Sequence, residues 1–456
     1  DPFVENESMA TLGSMPNLPD SKWAFHRSSP KALAFLLACA VMYFRQPAFF
    51  SAPRFWAEEG AVYFQYALYH PWYKVLFLPN PRFDYYSIFN NLAALAAARL
   101  VSLEQAPLVT TLLAFVVQTI PLAIIIGGDS ELYNNHLRRL LAVLIILFTL
   151  SSREIWLNTI NSPFYMLLTT ALILFEQFDG AGYLRIWSLR FLVLLAGLSG
   201  PISCVLAPLF FIKALFEKKR EYVIQTLILL ITSCLQFVVF LRTLNQVPLT
   251  AGRFSELNFA TFGYIVWSRT ILLPITGVKI AERFAEKALF LHDTNSNQFW
   301  LLGSFLLMGL IATLLISRFG TWRYLQYDRS LLMIGAYSII VTLSIVTSIT
   351  HGNKLVLINP GWSPRYFYVP SVLLLLLILV HTQAATKSWF VTLKSSICWV
   401  LLSLSLYNGI VSYKTDLNWS ADWPNWQMEV TIYQTDRTYT KLQIWPPNWH
   451  IELDKP

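Results

Sequence analysis

The chain has 456 residues, of which 55% are hydrophobic, 15% aromatic and only 13% charged. Soluble domains carry roughly a quarter charged residues, so this balance excludes an ordinary soluble protein and describes a polytopic membrane one. The net charge of +8 is met by Lys and Arg between spans, which set orientation and face anionic headgroups, and it calls for no nucleic acid.

Residues 1–30 are polar and Pro-containing, without the apolar core of a signal peptide, and read as a cytoplasmic, disordered or interfacial tail. Lys22, His26, Arg27 and Lys31 precede an apolar run over 32–50, which places the N-terminus in the cytoplasm and the next segment outside. That first outer loop, 51–87, is too polar to span but rich in Trp, Tyr and Phe. Pro71, Pro79 and Pro81 break it into short pieces suited to the membrane interface. It opens on Arg54-Phe55-Trp56-Ala57-Glu58-Glu59-Gly60, with two adjacent carboxylates. Acids at a helix start are favoured by the helix dipole. Here, however, Phe55, Trp56, Tyr63 and Phe64 flank them, and desolvation by such rings raises a carboxylate toward the range of a general base.

Further apolar runs cover 88–101, 107–126, 140–150, 164–175 and 191–216, the last interrupted by Gly200-Pro201; Lys218, Lys219 and Arg220 then mark the cytoplasm. Strict alternation puts Arg138, Arg139, Arg185 and Arg190 outside, against the positive-inside rule. Splitting the 191–216 run at Gly200-Pro201 moves 153–162 to the outer face, but then an extra crossing or re-entrant piece is required before Arg138. A span over 223–241 leads to a long outer loop, 242–298, with a moderately apolar patch at 264–275. Spans over 300–317, 331–349, 369–380 and 391–411 follow. The C-terminal region, 412–456, with Trp419, Trp423, Trp426, Trp445 and Trp449, falls on the same side as Glu58. The expected architecture is all-α and polytopic, with about 11 to 13 spans across 31–411, interfacial helices in the first outer loop and a small outer C-terminal region. Cys39, Cys204, Cys234 and Cys398 all lie in apolar runs without a CxxC or zinc spacing, so neither a disulfide framework nor a metal site is indicated.

This order of elements resembles the GT-C class of polyprenyl-phosphate-sugar glycosyltransferases: charged tail, first span, an outer loop opening on an acidic pair, many further spans, an outer C-terminal portion. Residues 54–60 look like the first-loop acid motif of bacterial members. Glu154-Ile155-Trp156-Leu157-Asn158-Thr159-Ile160-Asn161-Ser162 and Pro364-Arg365-Tyr366-Phe367-Tyr368-Val369-Pro370 are further likenesses. The resemblance implies a multi-pass enzyme of the bacterial inner membrane with its active site on the periplasmic face. Glu58 or Glu59 would activate an acceptor hydroxyl for inverting attack on the anomeric carbon of a polyprenyl-phosphate sugar. The acceptor would be a glycan, lipid or protein. A phosphate leaving group wants Arg donors: Arg365 first, then Arg82 and Arg269, with Arg253 and Lys279 as weaker choices. Asn158, Asn161, Tyr366 and Trp56 are candidates for sugar or acceptor contacts. A divalent metal is compatible with this chemistry but not indicated, and no other cofactor is expected. His351, and His292 with Asp293, are minor polar candidates, more simply read as structural.

Two other classes fit the composition. A transporter or flippase of lipid-linked sugars would show repeat symmetry and ionisable residues inside spans, and the visible charges instead cluster at span ends. A non-catalytic subunit of a membrane assembly is the other alternative.

Overall fold

The computed structural model describes residues 21–243, 257–316, 329–348, 353–382, 389–415 and 424–454. Among these described residues it is a helical bundle with one small hairpin, and five helices are long and apolar enough to cross a membrane: Leu103–Gly127, Arg220–Arg242, Ser296–Thr313, Ser330–Thr347 and Val391–Ser412. The chain is an all-α membrane protein.

After α1 (Ser21–Arg45) and the turn α2 (Ala48–Ser51), the first loop forms short pieces: a π-helical turn (Glu59–Phe64), α3 (Gln65–Tyr69) and α4 (Trp72–Phe77). Pro71 stands at the N-cap of α4, where its fixed φ sets the entry of the chain. Next comes α5 (Ile88–Arg99), the 88–101 run expected to cross. It does not cross. Arg99, in its last turn, donates to the carbonyls of Ala67, Leu68 and His70, while Ser87, before its first turn, reaches the carbonyl of Ser199. Both of its ends are thus held in the layer that carries Glu58. Twelve residues rise only about 18 Å, short of the hydrocarbon thickness.

With α5 lying in that layer, the alternation resolves. The helices α6 (Ala106–Gly127), α7 (His136–Phe148), α8 (Ser162–Leu174), α9 (Tyr183–Leu198), α10 (Ala207–Glu217) and α11 (Arg220–Thr243) run back and forth between two ends. Gly200-Pro201 sits in the turn between α9 and α10, so the 191–216 run is two antiparallel helices. The end opposite Glu58 gathers residues 128–139, 174–190 and 213–222. There the buried Glu176 carboxylate accepts from the Asp129 N–H, Tyr133 and Arg185, and Lys213 Nζ donates to the Leu174 carbonyl (2.6 Å) at the C-terminus of α8. Arg138, Arg139, Arg185, Arg190, Lys218 and Lys219 therefore share one end, and no additional crossing before Arg138 is needed.

The segment 242–298, read from hydropathy as a long outer loop, is helical from Phe259 onward. It forms α12 (Phe259–Val266), a π-helical turn (Trp267–Leu272), α13 (Leu273–Thr276) and α14 (Val278–Thr294). Ala260, Tyr264, Ile265 and Val266 enter the main core. On α14, Ala281, Ala285 and Ala288 are buried on one face while Glu282, Arg283, Glu286 and Lys287 are exposed. Charges on one face of an amphipathic helix depress a windowed hydropathy average although the other face is packed.

The rest comprises α15 (Ser296–Ile316), α16 (Arg329–Thr347), α17 (Arg365–Val380) and α18 (Trp389–Ser412), then α19 (Trp426–Thr435) and the antiparallel hairpin β1 (Lys441–Ile444) and β2 (Trp449–Glu452). α8 and α17 are buried along almost their whole length, as expected of helices apolar on every face. α11, α15 and α18 carry exposed Phe237, Leu301, Phe305 and Val400 on their outer sides. The C-terminal α19 and hairpin form a second core with the first loop: Phe55, Phe64, Trp426, Val430, Leu442, Ile444 and Ile451. Gly60 makes this possible. A Cβ there would lie 2.7 Å from Phe55 Cβ and 2.9 Å from Ile444 Cδ1.

Candidate active site

Three segments meet at the Glu58 end: the first loop, the 149–161 connection and the 353–364 connection before α17. Each holds a non-glycine residue in left-handed backbone, Ala57 (φ 41°), Leu157 (φ 50°) and Ser363 (φ 45°). Such residues cost of order 1–3 kcal/mol each and persist only where the surroundings over-determine them, which is common at functional sites. Ala57 turns the chain immediately before the acidic pair, and in the helical turn that follows the two adjacent carboxylates face different directions.

Glu59 points into protein. It is 2% exposed, and its carboxylate accepts the Thr159 N–H (2.7 Å), the Thr159 hydroxyl (2.6 Å) and the Trp56 N–H (3.0 Å). Burial pushes this carboxyl up, while the Thr159 and Trp56 hydrogen bonds and the Arg54 charge pull it back. Arg54 is buried too, its guanidinium over the Phe49 ring at 4.4 Å. Burial lowers Arg54 to about 9, with the Glu59 carboxylate opposing the shift. Glu59 is thus a brace that ties the first loop to the 149–161 connection.

Glu58 instead lines a cavity of about 350 Å³ together with Asn161, Arg365, Tyr366, Phe83 and Tyr85. From this polar end the same cavity continues between apolar walls, Phe164 and Leu167 of α8, Ile202 and Val205 after the Gly200-Pro201 turn, and Ile340 and Leu343 of α16. The volume is at the small end of the range typical of ligand pockets. Ser344 and Thr347 of α16 also line the cavity, so a polar set around Glu58 and Arg365, the head, is combined with a mainly apolar set, the arm.

Arg365 opens α17 and faces this head. Its Nη1 donates to Glu154 Oε1, and its backbone N–H donates to Glu154 Oε2 (3.2 Å). The guanidinium carbon lies 5.2 Å from the Tyr366 ring centre. Neither side chain of the ion pair is sealed off, with 22% of Arg365 and 17% of Glu154 exposed. Tyr366 meets Phe164 edge to face.

The remaining sequence candidates divide. Asn161 lines the cavity while its Nδ2 donates to the Glu154 carbonyl (3.0 Å). Asn158 is fully buried and shapes the connection, donating to the Glu154 and Trp156 carbonyls and accepting the Asn161 N–H. Trp56 is away from the cavity and packs in a small cluster with Ala57, Trp445 and Trp449. Arg269 is completely buried, its Nη1 donating to the carbonyls of Leu357, Asn359 and Trp362. It organises the connection before α17 and does not line the cavity. Arg82 is exposed and also away from it. Lys279 lies on the exposed face of α14. The His292 and Asp293 side chains bond each other at 2.9 Å at the exposed end of α14, apart from this cavity. Arg253 and His351 lie outside the described residues. No group of three His, Cys, Asp or Glu side chains with metal-binding spacing occurs among the described residues.

Two lining features were not singled out from sequence, the Phe83 and Tyr85 rings and the wall at Gly200-Pro201. Gly200 has φ +126°, and an added Cβ would stand 3.8 Å from the Tyr85 ring. The Gly-Pro break in an apolar run was the available signal for this wall; it marked a turn, and the turn borders the cavity.

The fold and site define a membrane protein with an acid–cation pair at the head of a partly apolar cavity. No family model, curated protein or solved structure matches the chain.

Proposed function

We propose that the chain is a GT-C-type glycosyltransferase that moves a sugar from a polyprenyl-phosphate donor to an acceptor hydroxyl, with inversion. The observation that carries this reading is the single cavity in which Glu58 and Arg365 share a polar head while Phe164, Leu167, Ile202, Val205, Ile340 and Leu343 line the attached arm. An amphipathic donor with a charged link between sugar and hydrocarbon needs these two environments side by side.

In this mechanism Glu58 accepts the proton of the acceptor hydroxyl as the new oxygen–carbon bond forms at the anomeric carbon. The anomeric carbon–oxygen bond to phosphate breaks on the opposite face, and the polyprenyl phosphate departs with the electron pair. Arg365 meets the charge that develops on the leaving oxygen, where fixed donors in a partly dry site are most effective. Tyr85, Phe83 and Tyr366 offer ring faces to the sugar, and Asn161 a polar edge. Glu59, Asn158 and Arg269 hold the loops that carry these groups. The setting is the periplasmic face of a bacterial inner membrane, with the shorter helices completing a bundle of 11–13 spans and with a glycan, lipid or protein as acceptor.

The test is transfer by the purified protein in lipid vesicles, using a panel of radiolabelled polyprenyl-phosphate sugars and mixed acceptors. The reading expects one donor to be consumed with release of polyprenyl phosphate, and Arg365→Ala to raise the donor KM by about 10-fold or more with little change in acceptor KM. Consumption of nucleotide sugars in place of lipid-linked ones, or equal donor kinetics for Arg365→Ala and wild type, would refute it.

A further inference from the structure

Arg365 is the cation of the cavity head, yet its guanidinium is already engaged by a carboxylate. Glu154 spends one oxygen on Nη1 and the other on the Arg365 backbone N–H, in the geometry that a phosphate oxygen would take up. Arg365 stands between two carboxylates, Glu58 in the cavity lining and Glu154 as its ion-pair partner, and the buried Arg269 charge also acts on Glu154. A phosphate at this head is held through the hydrogen bonds that Arg365 can redirect from Glu154.

From this geometry we infer that Glu154 is a built-in competitor for the phosphate at Arg365, a positioning residue that keeps the guanidinium aimed at the cavity and lowers the affinity for a phosphomonoester. The inference rests on the transfer reading above and adds to it a means of product release. The donor carries a phosphodiester with a single negative charge. After transfer, the polyprenyl phosphomonoester carries more negative charge in the same place, and Arg365 alone would hold it more tightly; the Glu154 carboxylate is a rival partner for the same guanidinium. Glu154 can then re-engage Arg365 as the product leaves. Binding the leaving group less tightly once it has left keeps binding energy in the transition state rather than in the product complex. The position of Glu154 suits this role, since its own carbonyl is held by Asn158 and Asn161 and its carboxylate is fixed relative to the cavity.

The experiment is isothermal titration of farnesyl phosphate, a short polyprenyl phosphomonoester, into the detergent-purified full chain as wild type, Glu154→Gln, Arg365→Ala and the double variant. Freeing the Arg365 guanidinium from its carboxylate partner is expected to tighten binding about 5- to 30-fold in Glu154→Gln, a gain that misfolding cannot imitate. In the Arg365→Ala background the same substitution is expected to change the dissociation constant by less than about 2-fold, because the competition acts through Arg365. Unchanged or weaker binding by Glu154→Gln overturns the inference and leaves the donor reading standing, with Glu154 a plain brace. Equal tightening in both backgrounds also overturns it, since Glu154 then repels phosphate without involving Arg365. No binding of farnesyl phosphate by any of the four proteins overturns both the inference and the donor reading.

Discussion

Glu59→Gln is the substitution that most sharply separates the two neighbouring glutamates. The Glu59 carboxylate receives three hydrogen bonds, from Thr159 N, Thr159 Oγ1 and Trp56 N, in a site 2% exposed. A glutamine can keep its carbonyl oxygen toward Thr159, but its amide then confronts the Trp56 N–H, donor against donor. Leaving one buried donor unsatisfied costs about 1–3 kcal/mol. Burial already favours the uncharged form of the Glu59 carboxyl, so loss of the charge adds no further cost and the expected loss is about 1–3 kcal/mol. Glu58→Gln, at the cavity wall, is expected to change stability by less than about 0.5 kcal/mol. Thermal unfolding in detergent, followed by loss of the monodisperse chromatographic peak, gives the comparison. Equal melting temperatures for the two variants, or a larger drop for Glu58→Gln, would refute the assignment of Glu59 as the brace.

Other outcomes follow from the same geometry. Because burial raises the Glu59 carboxyl in the folded protein, the folded state binds the proton more tightly than the unfolded chain does. Its contribution to stability therefore falls as pH rises from the unfolded value, about 4.3, through the raised folded value, and this slope should be missing from the pH-stability curve of Glu59→Gln. Gly60→Ala forces a methyl against Phe55 and Ile444; a loss of about 1–3 kcal/mol is expected, seen as faster proteolysis within 424–454. Val205→Trp fills the apolar arm, and it is expected to depress transfer from long-chain donors at least 10-fold more than from short-chain ones; equal losses would show that the arm does not hold the hydrocarbon.

Much of the site was legible because its residues announce chemistry by type. The acidic pair after the first span, the 154–162 stretch and Arg365 in Pro-Arg-Tyr stand out in an apolar chain, and the fold brings all three segments together. What the sequence does not carry is direction. Adjacent glutamates look alike until the helical turn after Ala57 sets one inward and one toward the cavity. Arg269 and Arg365 likewise look alike as lone arginines near span ends, but one is consumed by three carbonyls and the other by a carboxylate at the cavity wall. The fold shows the same limit. The run at 88–101 resembles the other apolar runs in composition, and only the contacts of Arg99 and Ser87 show that both ends of α5 lie in the layer that carries Glu58. In the 242–298 stretch the charged face of α14 hid its packed alanines, so its helices and their part in the core were not visible from hydropathy.

The central claim, that Glu58 is the general base, is tested most directly by the initial rate of sugar transfer from a polyprenyl-phosphate donor by Glu58→Gln in lipid vesicles, beside wild type at matched folded protein. The account predicts a fall of about 10²- to 10⁴-fold in kcat with the donor KM within about 3-fold of wild type. A Glu58→Gln enzyme that transfers at the wild-type rate would contradict it.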